Sequence, residues 1–212
     1  MARVLIIGGS RGIGLETTRQ ALAAGHSVRA FSRSAVPGAA SGADLVRVRG
    51  DALESRDVTA ALDGMEVVVQ ALGVSSLGDL FRPVSLFSDA TRVLVPAMEA
   101  TGVRRLICVT GFGAGDSRAS IGCLQRLPFQ AVFGRAYADK SVQEQLIKDS
   151  SLDWTIARPG ILTNGRRTGR YRVLADPAAW RNGIISRADV ADFLVRQIED
   201  RTYVRKAPVL VN

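Results

Sequence analysis

The stretch that decides the fold stands near the start of the chain and reads Val4-Leu5-Ile6-Ile7-Gly8-Gly9-Ser10-Arg11-Gly12-Ile13-Gly14. Its apolar start predicts a short buried strand, and the residues after the glycines have a helical pattern. Gly8 or Gly9 permits a tight turn, Gly12 permits close approach of a pyrophosphate, and Gly14 lets the helix pack on the strand. Placed between a first strand and a first helix, these glycines favour a dinucleotide-binding loop over a structural turn.

The end of the second predicted strand indicates which dinucleotide is bound. NAD-dependent proteins usually carry a carboxylate there for the ribose hydroxyls, but this chain has Phe31-Ser32-Arg33-Ser34. Arg33, together with Ser10 and Arg11, is suited to holding a 2′-phosphate, because guanidinium groups bind phosphate in a planar, bidentate manner. The sequence therefore predicts NADP(H) in preference to NAD(H). The alternative is that Arg33 is only a solvated side chain.

The third predicted strand ends at Gly50-Asp51-Ala52. Asp51 is positioned to accept a hydrogen bond from an adenine amino group, and the alternative is that it caps the next turn. We expect Asp51 and Ala52 to border the adenine end of the cofactor.

Strand-like and helix-like segments alternate along the whole chain, which predicts an α/β fold: a single Rossmann-like, doubly wound parallel sheet with helices on both faces. One domain is expected over residues 1–212, with variable substrate-side segments at 112–136 and 161–182. The predicted strands are Val4–Ile7, Ser27–Ser32, Leu45–Val48, Glu66–Ala71, Arg105–Thr110, Trp154–Ala157 and Pro208–Val211, and the predicted helices are Gly14–Ala24, Arg56–Leu62, Val84–Ala100, Asp139–Lys148 and Arg187–Ile198.

Composition excludes several kinds of site. The 212 residues carry a formal net charge of +8 and contain one histidine, His26, which rules out a His-rich zinc centre and a two-His metalloprotease helix. We expect His26 in a surface turn and no metal site. The two cysteines, Cys108 and Cys123, are too few for a disulfide framework and are expected to be buried thiols.

Location and partners are also constrained by the sequence. No apolar run is long enough to cross a bilayer, and no signal-peptide pattern precedes the first strand, so a cytoplasmic protein is expected. The basic residues are spread along the chain without a recognition-helix motif, so we expect neither a nucleic acid nor a membrane as partner. A monomer or a small homo-oligomer is expected.

The chain resembles the atypical short-chain dehydrogenases/reductases that consist of one NAD(P)-binding domain, in particular the biliverdin-IXβ reductase/flavin reductase group, with nitrogen-metabolite-repressor-like proteins as more distant relatives. The matching pieces cover most of the chain. They are Gly8–Gly14, Gly50-Asp51, Ala71-Leu72-Gly73, Val109-Thr110-Gly111, Lys140–Leu146, Leu152–Gly160 and Ile185–Ala191.

This resemblance implies further cofactor contacts at the ends of the later strands. Ala71-Leu72-Gly73 would pass the adenosine ribose and pyrophosphate, Thr110 and Gly111 would lie beside the nicotinamide, and Pro159-Gly160-Ile161 would pass near the carboxamide. The complete expected cofactor-binding set is Gly8, Gly9, Ser10, Arg11, Gly12, Ile13, Gly14, Arg33, Asp51, Ala52, Ala71, Leu72, Gly73, Thr110, Gly111, Lys140, Pro159, Gly160 and Ile161.

The catalytic residues implied by the resemblance are Thr110, Lys140 and Tyr137. Lys140 matches the lysine of the family's Tyr-x-x-x-Lys pair and would hold the nicotinamide ribose, although an ion pair with Glu144 is an alternative. The family's tyrosine position is occupied by Ala136, and Tyr137 is one residue closer to the lysine. Tyr137 would act as a proton donor if the segment before it folded inward.

Gly111 stands where the flavin-reductase group often has a serine, so one proton donor is absent. We therefore expect an NADPH-dependent oxidoreductase that transfers hydride to a flavin, a quinone-like molecule or a related planar acceptor. The aromatic and basic residues of 161–182, such as Tyr171 and Trp180, would suit an anionic acceptor or would be local packing. The alternative functions are an NADP(H)-binding, redox-sensing module without turnover and, less favoured, an isomerase.

Overall fold

The structure is a computed structural model that describes residues 1–34, 44–73, 85–120 and 123–212, with the side chains of 123–133 left undescribed. Its main sheet has eight strands in the order β3-β2-β1-β4-β5-β6-β10-β8. The strands of this sheet are β1 (Arg3–Ile7), β2 (Ser27–Ser32), β3 (Leu45–Arg49), β4 (Val67–Gln70), β5 (Arg105–Val109), β6 (Asp153–Pro159), β8 (Arg172–Leu174) and β10 (Val209–Val211).

Every neighbouring pair in this sheet is parallel except β10 and β8, which are antiparallel. A second, parallel pair is formed by β7 (Ile161–Thr163) and β9 (Ile184–Ser186). Because β7 follows β6 after one residue, it continues the chain from the carboxyl edge of the main sheet. That edge is where ligands bind in open α/β folds.

In the described parts of the chain, five α-helices cover the sheet: α1 (Gly12–Ala23), α2 (Ser55–Leu62), α3 (Leu86–Thr101), α4 (Cys123–Lys148) and α5 (Arg187–Arg196). One apolar cluster joins the sheet to α2, α3 and α4, with Leu62, Met98 and Ile147 among its buried residues. A second cluster joins the opposite face to α1 and α5 through Ala21 and Phe193. The expected doubly wound α/β fold with helices on both faces is confirmed.

The predicted strands agree closely with the structure, but α4 is much longer than predicted. It was expected over Asp139–Lys148 and instead begins at Cys123, so part of the segment 112–136 is helical. Residues 115–120 form a 3₁₀ turn before it. Val84, predicted as the start of the third helix, lies outside the described residues. The short strands β7, β8 and β9 were not predicted.

The sequence led us to expect His26 in a surface turn, but the structure buries its side chain. It is 4% exposed, and its Nδ1 accepts a hydrogen bond of 3.2 Å from the backbone N–H of Ala2. Cys108 is a buried free thiol, as expected, whereas the side chain of Cys123 lies outside the described part. Among the described residues, none of the helices has both the length and the apolar character needed to span a bilayer.

Candidate cofactor-binding site

A pocket of about 660 Å³ runs along the carboxyl ends of β1 to β5. Its walls come from the strand ends, from the start of α1 and α3, from the middle of α4 and from the start of α5. The lining residues are Ile7, Gly8, Ser10–Ile13, Phe31–Ser34, Gly50–Ala52, Ala71–Gly73, Leu86, Phe87, Val109, Thr110, Ala136, Tyr137, Lys140, Leu162 and Arg187. The size is within the usual range for sites that hold small organic molecules.

The glycine loop is shaped by contacts that leave no space for side chains. Gly8 has a φ of +87°, and a Cβ there would lie 2.6 Å from the carbonyl oxygen of Ala71. A Cβ on Gly14 would overlap the carbonyl oxygen of Gly8, so this glycine lets α1 approach the loop. Gly9 is buried against Ala30 and Thr18 rather than facing the pocket. These contacts fix the loop at the N-terminus of α1.

Gly12 differs from the other glycines of the loop because its missing side chain would point into open space. Its φ is +55°, and no described atom beyond its chain neighbours and its own helix lies within 4 Å of the Cβ position. Gly12 is also the first residue of α1 and lines the pocket. The N-terminus of a helix attracts anions, so the loop leaves room for a phosphate where the backbone favours one.

The end of the pocket at β2 carries the predicted phosphate-binding residues. Ser10, Arg11, Arg33 and Ser34 all line it, and both arginines are exposed. Arg33 forms no ion pair with a carboxylate of the described residues. The structure thus brings the predicted residues to one place, while the choice between the two dinucleotides stays a prediction.

Asp51 lines the same end and also caps a turn. Its Oδ1 accepts a hydrogen bond of 3.1 Å from the backbone N–H of Leu53, and its own N–H donates to Asp57 at 2.9 Å. A Cβ on the preceding Gly50 would lie 2.5 Å from the ring of Phe31, so the loop can only pass over this ring with glycine there. The capping alternative is therefore realised, and the adenine contact stays a prediction.

Lys140 is held at the opposite end of the pocket. Its Nζ donates a hydrogen bond of 2.6 Å to the carbonyl oxygen of Thr110 and lies 4.9 Å from the centre of the Phe87 ring. Burial lowers the pKa of Lys140 to about 8. Among the described residues Lys140 forms no ion pair with Glu144, which was the expected alternative; Glu144 pairs with Arg158 and Lys148 instead. Lys140 therefore places an ammonium group in the wall of the pocket, anchored on the end of β5.

Tyr137 also reaches this end of the pocket, from α4 rather than from a loop. Its hydroxyl fills the space above Gly111, because a Cβ on Gly111 would lie 2.6 Å from the Tyr137 Oη. Burial raises the pKa of Tyr137 to about 12. Lys140 Nζ lies 5.5 Å from the centre of the phenol ring. The phenol therefore stays protonated across the physiological range and cannot act as a base there.

The Thr110 hydroxyl, expected as a possible proton donor, has another partner. It donates a hydrogen bond of 2.7 Å to Oε1 of Glu144, which is 1% exposed. Arg158 is fully buried and pairs with both Glu144 and Asp116. The Arg158 Nη2–Glu144 Oε2 distance is 2.5 Å. Thr110 therefore lines the pocket with its hydroxyl proton directed at a buried ion pair.

Not all of the predicted cofactor residues reach the pocket. Its lining omits Gly9 and Gly14, which serve the packing of the loop, and also Gly111, Pro159, Gly160 and Ile161. Gly160 donates its backbone N–H to Leu210, and Ile161 is 59% exposed outside the pocket. The next residue, Leu162, lines the pocket instead.

Sequence reasoning also missed Arg187, which lines the pocket from the start of α5. Its Nη1 donates a hydrogen bond of 2.8 Å to Oδ1 of Asn164. Arg187 lies 177 positions after the glycine loop in sequence, counted from Ser10, so only the fold brings the two together. Arg187 stands in the matching piece Ile185–Ala191, but nothing in that piece indicated that it lines the pocket.

These observations fit a bound dinucleotide. The open space in front of Gly12 admits a pyrophosphate, the arginines at the β2 end admit a further phosphate, and Lys140 supplies a donor at the far end. Among the described residues, no group of three or more His, Cys, Asp or Glu side chains is arranged to hold a metal ion.

A family model described as NAD(P)H-binding matches residues 8–201. An uncharacterized chloroplastic protein of Arabidopsis thaliana is 28% identical over 201 residues, which is 92% of this chain and 71% of that protein. An uncharacterized sugar epimerase, YhfK of Bacillus subtilis, is 24% identical over 86% of this chain and 80% of its own length.

Solved structures share the fold over almost the whole chain. ChuY from Escherichia coli CFT073 is 25% identical, with a TM-score of 0.79, over 100% of this chain and 97% of ChuY. ChuY from Escherichia coli O157:H7, described as an anaerobilin reductase, is 24% identical, with a TM-score of 0.79, over 99% of this chain and 96% of that protein. A short-chain dehydrogenase/reductase of Veillonella parvula in complex with NADP is 18% identical, with a TM-score of 0.83, over 100% of this chain and 94% of that protein.

Proposed function

The chain belongs to the NAD(P)H-binding family, and from this premise we propose that it is an NADPH-dependent reductase of planar acceptors such as flavins or quinones. The observation that carries the proposal is the continuity of one pocket. This pocket extends from Arg33 and the glycine loop at one end to Lys140 and Tyr137 at the other. A cofactor held at the first end would present its reactive ring at the second.

The preference for NADPH rests on the charge of the β2 end. Arg33 and Arg11 line it, and no carboxylate stands at the end of β2 to receive ribose hydroxyls. A guanidinium–phosphate contact contributes about 1.5–3 kcal/mol. We expect this contact to favour NADPH over NADH by roughly 10- to 100-fold in affinity.

The kind of acceptor is indicated by the donors that the described residues place at this end of the pocket. When bound, NADPH supplies a hydride, and a proton from water completes the two-electron reduction, which leaves NADP⁺. Lys140 would orient the nicotinamide end of the cofactor through its ammonium group. The Thr110 hydroxyl proton is directed at Glu144, and the phenol of Tyr137, with its raised pKa, is a weak acid.

A carbonyl substrate needs a strong donor for the alkoxide that forms, whereas a flavin or quinone spreads the incoming charge over its rings. The site therefore favours planar acceptors. The names of relatives include both a sugar epimerase and dehydrogenases, so these names do not select the chemistry. The selection rests on the donors at the site.

The test is steady-state oxidation of NADPH and of NADH by the purified protein, with FMN, riboflavin and a simple quinone as acceptors. Acceptor-dependent turnover that prefers NADPH is the expected result. Arg33→Ala should raise the KM for NADPH at least tenfold and leave that for NADH unchanged. Arg3→Ala is the matched control, because it removes the same charge from the exposed amino end of β1, at the opposite edge of the sheet.

An equal effect of Arg33→Ala on both cofactors would overturn the phosphate assignment. The lack of a strong proton donor among the described residues also supports a second function, an NADP(H)-binding sensor without turnover. A sensor would bind NADP⁺ and NADPH with different affinities, measured by calorimetry, and would oxidise NADPH with none of the acceptors. Turnover with any of them would exclude it as the sole function.

A further inference from the structure

The pocket has a second cationic group at the end that lies far from Arg33. Arg187 lines it beside Leu162, which is the second residue of β7. Since β7 continues from β6, Leu162 follows the end of β6, whereas Arg33 follows the end of β2, and β1, β4 and β5 lie between these two strands. Arg187, which follows the partner strand of β7, therefore belongs to a different part of the pocket wall from Arg33.

Arg187 is held in place by a neutral partner. Its Nη1 donates to Asn164 at 2.8 Å, and it forms no ion pair with a carboxylate in the described parts of the chain. The side chain is partly buried. A guanidinium without a counter-charge in the wall of a pocket is suited to bind an anionic group of a ligand.

The nearby acids of α5 are occupied by the segment that follows β7. Asp189 accepts hydrogen bonds from the backbone N–H groups of Thr168 and Gly169, at 2.7 and 2.9 Å. Asp192 accepts from Tyr171 and pairs with Arg167 at 2.7 Å. Neither carboxylate is therefore directed at Arg187.

A further hydrogen bond anchors the segment that contains Arg166. Ser186 donates its hydroxyl to the carbonyl oxygen of Arg166 at 3.2 Å, which places the backbone of Arg166 against the residue that precedes Arg187. Arg166 is exposed and, like Arg187, forms no ion pair with a described carboxylate. The anchored segment therefore holds the backbone of a second arginine beside the start of α5.

From this geometry we infer that the acceptor carries an anionic group, a phosphate or a carboxylate, which is bound by Arg187. The inference rests on the proposed reductase function and names its substrate class. Arg187 is then a specificity-determining residue: it holds the charged tail of the acceptor, while the acceptor's ring lies toward Lys140. The contact of an anion with a guanidinium would replace the missing counter-charge.

The test compares FMN with riboflavin, which share the same ring system and differ by one phosphate. For the wild-type protein, kcat/KM should be at least tenfold higher with FMN, the size expected of a charge-assisted contact. Arg187→Gln should remove this preference, so that kcat/KM for FMN falls to the value for riboflavin. Arg187→Lys, which keeps the charge, should restore part of it, and Arg3→Gln should behave like wild type.

A planar quinone and its carboxylated derivative test whether the anionic group can be a carboxylate. A preference for the carboxylated quinone that Arg187→Gln removes would support the inference with a carboxylate as the group. Equal kcat/KM for charged and neutral acceptors in the wild-type protein would overturn it and leave the reductase function intact. A rise in KM for NADPH in Arg187→Gln would also overturn it, because Arg187 would then hold the cofactor.

If no acceptor is reduced, the proposed function fails and binding tests the inference alone. Flavin fluorescence would be titrated with the NADP⁺-loaded protein. Tighter binding of FMN than of riboflavin, lost in Arg187→Gln, would support the anion site. Equal binding of the two flavins would overturn it.

Discussion

Replacing Gly12 by alanine should separate cofactor binding from folding. The φ of +55° makes any side chain at this position strained, by about 1–2 kcal/mol. For a chain of 212 residues this cost corresponds to a fall in melting temperature of about 2–8 °C. The added methyl group would meet no described atom outside the local helix and would protrude into the pocket, where the loop leaves space for a pyrophosphate.

The matched control is Gly25→Ala. Gly25 has a φ of +82° and also has nothing within 4 Å of the Cβ position, but it lies in the turn after α1, away from the pocket. Both variants should therefore lose similar stability in thermal denaturation. Calorimetric titration with NADPH should show at least a tenfold loss of affinity, about 1.4 kcal/mol, for Gly12→Ala only. Equal affinity in the two variants would refute the assignment of the pyrophosphate to this loop.

Three further outcomes follow from the site. The pKa of Lys140 is lowered from 10.5 to about 8 in the folded protein, so the unfolded chain keeps this proton to higher pH. Chemical denaturation should therefore show the wild type gaining stability relative to Lys140→Met as the pH rises from 8 to 10.5. A constant difference in the free energy of unfolding between the two proteins over this range would contradict the lowered pKa. Glu144→Gln should lower the free energy of unfolding by about 1.5–3 kcal/mol, because the buried guanidinium of Arg158 loses one charged partner and keeps the other, Asp116. No measurable loss would disprove that role. Gly111→Ser should lower the melting temperature, because the new side chain would displace the Tyr137 hydroxyl. Adding Tyr137→Ala to this variant should raise the melting temperature again. No recovery in the double variant would show that the serine clashes with another part of the protein.

The fold was predictable from sequence wherever strands and helices alternate with strong local patterns. β2 was predicted with its observed bounds, because Ser27–Ser32 carries the apolar residues Val28, Ala30 and Phe31 after the turn at Gly25-His26. The long α4 was not, because its first half contains Pro128 and Gly134, which are poor helix formers. The three-residue strands β7, β8 and β9 are too short to show a period.

The site was predictable at the glycine loop, where chemistry depends on neighbouring residues, and less so where distant segments meet. Arg187 enters the pocket only because β9 pairs with β7 and places the start of α5 beside Leu162. The engagement of Thr110 with Glu144 depends on α4 packing against the end of β5. Trp180, expected as part of an acceptor rim or as packing, lies 4.8 Å from the guanidinium of Arg158 and donates its indole N–H to Leu174.

We propose that one pocket binds NADPH and brings it to a planar acceptor. An anaerobic single-turnover experiment measures this step: the protein is loaded with one equivalent of NADPH and mixed with FMN, and the absorbance of both molecules is followed. One FMN should be reduced for each NADPH oxidised, faster than in the absence of protein and more slowly with Gly12→Ala. Bound NADPH that stays unoxidised in the presence of FMN and of the quinones would contradict it.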